Sequence, residues 1–311
     1  MNRLRMLTTA SAAFAAMQVF PPAAGAAVSL NIGVGPDEDF AEGYYANDAN
    51  FFQQAGIQAV LTEMGSGAAL SAAAVSGSLD VATTNMGSII TAYGHNVPLR
   101  IVAPGAIYSN TELTAALIVA KESPIRSVAD LRGKTIAVST LNTLYHTSVR
   151  NWIDKNGGTS ADVRFVEMPL SAHLPALIGG RIDAAASVEP WLSQAKSQTR
   201  VLGDPYSSVA NRFLISCWVA STSWCEANRS TLATFRAVMR KTARWANQNP
   251  RQTAAILSKY FKIDPAIVQA IPRTEMGVNL DPRLVQPVID MLVRYKLAPA
   301  QFDASNLFAR S

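Results

Sequence analysis

Ala74-Val75-Ser76-Gly77-Ser78-Leu79-Asp80-Val81-Ala82 and, further along the chain, Leu177-Ile178-Gly179-Gly180-Arg181-Ile182-Asp183-Ala184 share one pattern. In each, a helical run meets glycine, an aspartate follows shortly, and a short apolar run comes after it. Glycine stops helices because a residue without Cβ enters the left-handed region at no steric cost. A short apolar run bounded by turn residues reads as a buried strand. Helix, tight turn and buried strand in that order are the repeating step of a parallel α/β sheet.

Working outward from the first stretch, 28–34 alternates in apolar character and ends at Gly33-Val34-Gly35-Pro36, a strand feeding a loop. A helix over 41–54 follows, with Phe40, Tyr44, Phe51 and Phe52 largely on one side and Gly56 as its stop. A strand over 57–64 leads to Gly65-Ser66-Gly67 and a helix over 68–76. After the glycine turn, the strand 81–84 carries Asn85-Met86-Gly87-Ser88 into another helix, and 99–103 adds a strand.

The second stretch sits in a unit with the same logic. It begins near Leu117-Ile118-Val119-Ala120 and continues through the strand 135–138. Ser139, Thr140, Asn142 and Thr143 stand at the start of a helix running to about Lys155, which Gly157-Gly158 stops. A strand over 165–168, a helix over 173–178 and a strand over 182–187 follow, ending at Glu189-Pro190-Trp191. A strand over 213–220 then returns to the first unit, and helices over 229–247, 250–261 and 281–295 close the chain.

The 311 residues, 49% of them apolar, suffice for two cores. Lys and Arg number 27 against 22 acids, scattered with no run of five and no interleaved aromatics, so nucleic-acid binding lacks its electrostatic footprint. At the start, Arg3 and Arg5 precede an apolar run over 6–20, then Pro21-Pro22 and small residues, the pattern of a secretory signal. Ala24-Gly25-Ala26 fits small-x-small cleavage near Ala26, and the run is shorter than the roughly 20 residues a membrane span needs. No cysteine stands at that site, which favours a free periplasmic protein over a lipid-tethered one. Cys217 and Cys225 are compatible with a local bridge or with two buried thiols.

Four segments together resemble one family: Gly43-Tyr44-Tyr45 through Phe51-Phe52-Gln53-Gln54-Ala55-Gly56-Ile57, the first quoted stretch, Asp130-Leu131-Arg132-Gly133-Lys134-Thr135-Ile136-Ala137-Val138, and the second stretch with Glu189-Pro190-Trp191. The chain is similar to periplasmic solute-binding proteins of the nitrate/sulfonate/taurine type of ABC importer, a family that includes binders of a thiamine pyrimidine precursor. The resemblance implies an α/β periplasmic binding protein of type II. Its two lobes would each be a mixed, mainly parallel sheet flanked by helices. Lobe I would hold 27–115 plus 216–311 and lobe II 116–215, joined by crossings near Ala116-Leu117 and over 213–215. It further implies hinge closure on a small solute, an ABC permease as partner, a monomer, no cofactor and no metal.

A cleft of that kind is lined by the loops after the strands, where helix N-termini expose N–H groups. The candidates are Asp37 and Phe40 beside Pro36; Ser66 and Gly67; Thr84, Asn85 and Met86; and Thr140, Asn142, Thr143 and Tyr145. Each polar one could equally be a helix cap; Asn85 and Thr143 are preferred. Trp191 and Glu189 join them through the family's Glu-Pro-aromatic loop, Glu189 either bonding a ligand donor or tying the lobes together. Tyr44 and Trp218 are further aromatic candidates, Trp218 equally a core residue. His146 reads as structural, and His95 and His173 share no metal or triad spacing.

The acidic loop Asp37-Glu38-Asp39 disfavours a purely anionic solute and suits one with donor groups, such as an aminopyrimidine or an amino-acid-like sulfonate. Arg100, Arg150, Arg181 and Arg212 are available as anion partners, but nothing in the sequence places them in a cleft. The resemblance extends to a pyrimidine synthase of thiamine formation, an enzyme reading that two lone cysteines and a leader argue against. A sensor that binds the same solute without transport stays open.

Overall fold

The computed structural model describes residues 27–309, and the leader with its cleavage near Ala26 lies outside them. In chain order the strands are β1 (Val28–Val34), β2 (Ile57–Glu63), β3 (Val81–Asn85), β4 (Leu99–Pro104), β5 (Ala106–Ser109), β6 (Ala115–Ala120) and β7 (Thr135–Val138). They continue with β8 (Arg164–Glu167), β9 (Ala184–Val188), β10 (Thr199–Gly203), β11 (Arg212–Leu214), β12 (Ser216–Ser221) and β13 (Glu275–Met276).

Two five-stranded sheets form the two lobes, ordered β2-β1-β3-β12-β4 and β8-β7-β9-β6-β10. They have the same topology. β1 pairs in parallel with β2 and β3 as β7 does with β8 and β9, and the fourth strand runs antiparallel to both its neighbours, β12 in one sheet and β6 in the other. Each reversed strand is the one that enters its sheet after a crossing from the other. The crossings themselves pair: β5 and β11 run antiparallel, Ile107 opposite Leu214, and β13 from the tail adds a third strand against β5.

The glycine-aspartate pattern does the same work in both lobes. Gly77 and Gly180 adopt φ of 79° and 67° after their helices, conformations that a Cβ would strain. Asp80 then closes a ring with Asn31 of β1, its N–H donating to the Asn31 carbonyl (2.9 Å) and its Oδ2 accepting the Asn31 N–H (2.8 Å). Asp183 repeats this with Thr135 of β7, at 2.9 and 2.8 Å. The aspartate thus supplies an acceptor that locks the incoming strand beside the one already formed.

Four expectations are corrected. The first crossing falls at β5, Ala106–Ser109, and not near Ala116-Leu117, which lie within β6 of the second sheet. The helix over 41–54 is two, Glu42–Asp48 and Phe51–Gln54, because Asn50 takes the left-handed region at φ 58° and breaks the ladder. The return strand splits into β11 and β12 at Ile215, since the first half pairs in the crossing ribbon and the second in lobe I. The last helix begins only at Gln286, after a tight turn over Pro282–Leu284, and runs to Arg294. The long helices Arg229–Gln248 and Pro250–Phe261 fall where the periodicity puts them.

The last helix spans the two halves. It packs on Leu144–Lys155, with Arg294 donating to Asn151 Oδ1 (3.1 Å), Tyr295 donating to Asp154 (2.6 Å) and Arg150 over the Tyr295 ring. Cys217 and Cys225 are free, buried thiols. Among the described residues no helix is long and apolar enough to cross a membrane.

Candidate functional site

The carboxyl ends of β1, β2, β3, β7, β8 and β9 meet between the lobes, the position where open α/β sheets take ligands. They enclose a cavity of about 50 Å3. A cleft for a small organic ligand usually offers about 300 Å3 or more, so the lobes stand closed and must part to admit anything larger than a few atoms. Across the gap backbone packs on backbone. Gly87, in the helix Met86–Gly94 of lobe I, abuts Leu144 at the head of Leu144–Lys155 in lobe II, and an added Cβ there would fall on the Leu144 nitrogen.

Eight of the sequence candidates line this cavity: Asp37, Phe40, Ser66, Gly67, Asn85, Thr140, Thr143 and Tyr145. Ser66 and Asn85 are also caps, Ser66 Oγ accepting the Ala69 N–H (3.3 Å) and Asn85 Oδ1 the Ser88 N–H (2.9 Å). Thr143 precedes its helix but does not cap it; its hydroxyl donates to the Thr140 carbonyl (3.0 Å). Gly67 is held close to Asn85 and Thr84, and a Cβ would clash with the Asn85 amide. Three helix N-termini, from both lobes, therefore converge on the cavity with their partial positive charge. Tyr145 donates to the Ser187 carbonyl (3.0 Å), which leaves its ring, packed 4.7 Å from that of Tyr206, as the face it shows the cleft.

The remaining candidates sit elsewhere. Thr84 is fully buried, its hydroxyl donating to the Gly67 carbonyl (2.8 Å) and accepting from Ser71, so it supports the loop from beneath. Met86 is core. Asn142 lines a separate apolar groove on the outside of the lobe junction. Glu189 turns its carboxylate onto Ser193, accepting from that residue's N–H (3.1 Å) and hydroxyl (2.8 Å). Its backbone carbonyl takes the Glu38 N–H across the gap (3.3 Å). The Trp191 indole donates to the Pro36 carbonyl (3.0 Å), a second tie between the lobes. Trp218 is core, its indole donating to Glu42 (2.7 Å), and Tyr44 stacks on Tyr260 while donating to Glu63 (2.5 Å). His146 Nδ1 accepts the Asn142 N–H (2.9 Å), a structural role.

Sequence reasoning missed Tyr206, Ile215, Leu170 and Val188 as lining residues. Asp39 also lines the cavity, from the acidic loop already singled out. Tyr206 opens the 3-10 turn Tyr206–Ser208 before β11 and Ile215 stands between β11 and β12, where no periodicity or cap marks a ligand loop.

No arginine, lysine or histidine is among the lining residues, whereas Asp37 and Asp39 are. Burial pushes the Asp37 carboxyl up to about 7, and burial with Asp37 and Glu38 nearby holds Asp39 well above the usual range. Burial likewise raises Glu189 to about 7, with Glu38 adding to it. Glu38 itself is raised by burial but answered by Arg273, whose Nε lies 2.6 Å from its Oε1. Asp37 Oδ1 has no protein partner. Of the arginines considered for anions, Arg212 pairs with Glu275 at the crossing ribbon and Arg150 covers Tyr295. The cleft thus offers backbone N–H groups, two carboxyls that burial raises, Asp37 to about 7, and aromatic walls.

The fold matches solved structures across most of its length. It superposes on the alkanesulfonate-binding protein SsuA from Xanthomonas axonopodis pv. citri bound to MOPS at a TM-score of 0.77, with 18% identity, covering 91% of this chain and 99% of that one. The periplasmic nitrate-binding protein NrtA from Synechocystis PCC 6803 gives 0.72 and 14%, covering 90% and 84%. The same fold carries an enzyme, the desulfurization enzyme DSZB, at 0.66 and 16%, covering 91% and 97%. Comparison of the sequence with curated proteins gives no match. The family model described as NMT1/THI5 like matches residues 37–253, well over half of the chain and the whole of the cleft-forming region, and the chain belongs to that family.

Proposed function

We propose that the chain is the extracytoplasmic solute-binding component of an ABC importer. Exported with cleavage near Ala26, it would act as a monomer that hands its solute to a permease at the inner membrane. Residues 27–115 with 216–311 and residues 116–215 would be the two moving bodies. The observation that carries this is the pairing of β5 with β11: two short antiparallel crossings join two sheets of equal topology whose loops face one cavity. Such a ribbon lets the sheets swing without breaking either core.

The solute class follows from the lining. With two carboxyls and no cation in it, a free anion would be held by helix N-termini alone against two acids. A small solute carrying N–H donors, neutral or protonated, with a flat apolar part against Phe40, Tyr145 and Tyr206, suits it better. Binding without turnover is favoured over an enzyme, because Cys217 and Cys225 are buried away from the lining and His146 spends its Nδ1 on the backbone.

A thermal-shift panel on the purified protein tests this, with nitrate and alkanesulfonates against aminopyrimidines and small protonated amines. A donor-bearing solute at about 100 times its Kd stabilises by about 2.7 kcal/mol, which for a chain of this size raises Tm by about 5 °C. Shifts confined to the simple anions would overturn the solute class, and conversion of a bound compound to product would overturn the binding role.

A further inference from the structure

We propose that the long helix Arg229–Gln248 presents a cationic face that docks the protein on an anionic phospholipid surface. The helix carries Arg229, Arg236, Arg240, Lys241 and Arg244 and no acid along its whole length. Its other face is spent on the core through Leu232, Phe235, Val238, Met239 and Ala243. Arg236, Arg240 and Arg244 recur at four-residue steps, so like charges stand one turn above another, an arrangement that weakens a helix.

The structure accounts for only part of this charge. Arg236 donates to the Val102 and Ala309 carbonyls (2.9 and 3.0 Å), fixing the helix to β4 and the tail. Lys241 lies over the Phe51 ring and donates to Gln54 (2.7 Å), which positions its ammonium without neutralising it. Arg240 and Arg244 are exposed, and among the described residues neither is ion-paired. Shallow depressions flank Arg240 on either side, and no carboxylate lines either one.

The charge of the face selects the partner. Exposed Ala233 and Ala237 stand among the cations with no acid between them, and half-buried Trp245, edge-on to Phe51, stands beside Arg244. A cationic strip without a carboxylate matches the headgroup plane of an anionic bilayer, to which basic side chains are drawn. None of these residues lines the cleft, so docking leaves the cavity free.

Co-sedimentation of the purified protein with vesicles tests the proposal, using phosphatidylcholine alone and with about one-third phosphatidylglycerol, at low salt. The protein is expected on the anionic vesicles only, released by about 0.3 M salt, where charges beyond a few ångströms are screened. Replacing Arg240, Lys241 and Arg244 together with glutamine should weaken binding roughly 100-fold, about fivefold per cation, with Tm and cleft binding unchanged because the side chains are exposed. A control with Lys121, Arg126 and Arg132 changed to glutamine removes the same charge elsewhere and should bind like the parent. Equal loss in the control, absence of vesicle binding at low salt, or binding to soluble polyglutamate but not to vesicles would each overturn the proposal. If the triple variant melts early, the single Arg240→Gln and Arg244→Gln variants decide it, an unchanged affinity in both counting against the helix.

Discussion

Gly87→Ala puts the closing motion itself under test. The three atoms nearest a Cβ at position 87 are all backbone of the opposite lobe: the Leu144 nitrogen, well inside van der Waals contact, the Thr143 carbonyl carbon at 2.9 Å and the Leu144 Cα at 3.0 Å. Backbone cannot rotate aside as a side chain can, so restoring normal contact distances requires the lobes to separate there by about 1 Å. Overfilling a tight contact costs about 1–3 kcal/mol, which here is charged to closure and weakens solute affinity about 5- to 150-fold. Folding should not suffer, because lobe I is free to swing and alanine is a better helix former than glycine by about 1 kcal/mol. Small-angle scattering with solute bound would show a larger radius of gyration for the variant than for the parent, while its Tm without solute stays level or rises. A variant with parental scattering and parental affinity would refute the reasoning, since the methyl would then have been absorbed locally.

The buried acids make stability depend on pH in a stated direction. Asp37, Glu189 and Glu42 have carboxyls raised to about 7, 7 and 8 by burial. Their contribution is therefore complete below the ordinary carboxylate range and lost as pH rises through 7 to 8. His146 and His173, lowered to about 4 by burial, act oppositely and lose theirs as pH falls from 6.5 toward 4. The two windows overlap between about 4 and 6.5, where three acids outweigh two histidines, so Tm should fall as pH rises from about 5 to about 8; Glu189→Gln, which still accepts from Ser193, should make that fall shallower, and an unchanged slope would contradict the assignment. Arg273→Met leaves Glu38, 1% exposed, without its cation; while Glu38 is ionised the loss should reach about 3 kcal/mol, shrinking as pH falls and the raised carboxyl takes a proton, and adding Glu38→Gln should restore most of it in denaturant melts. Cys217 and Cys225 are free and buried, so reductant should leave Tm unchanged and thiol reagents should react slowly before unfolding; a Tm that drops with reductant would show a bridge instead.

What could be read from the chain alone follows from where information is local. The turn at Gly77 to Asp80 and its counterpart at Gly180 to Asp183 are local events, and their reading as helix stop and strand start located both sheets. That the aspartates also lock Asn31 and Thr135 was beyond reach, because the partner lies on a strand distant in sequence. The loops after strands are legible for the same reason as the strands, and Asn85, Ser66 and Thr143 reached the cavity with them. Glu189 and Trp191 stood in the right loop but turned to bind Ser193 and Pro36, since side-chain direction is decided by the facing lobe. Tyr206 enters the site from the short turn Tyr206–Ser208 before β11 and Ile215 from the single residue between β11 and β12, stretches too short to carry a period. The cations of the long helix are unremarkable in the chain's overall balance and gather only when its buried face is fixed.

In the proposed motion two sheets of equal topology close on a solute about the β5–β11 ribbon. Small-angle scattering of the protein with and without whichever compound gives the largest thermal shift measures it most directly. The radius of gyration should fall on binding, toward that of the closed form, and the fall should be lost in Gly87→Ala. Tight binding with no change in the scattering curve would mean that the lobes do not move and that the ribbon is not a hinge.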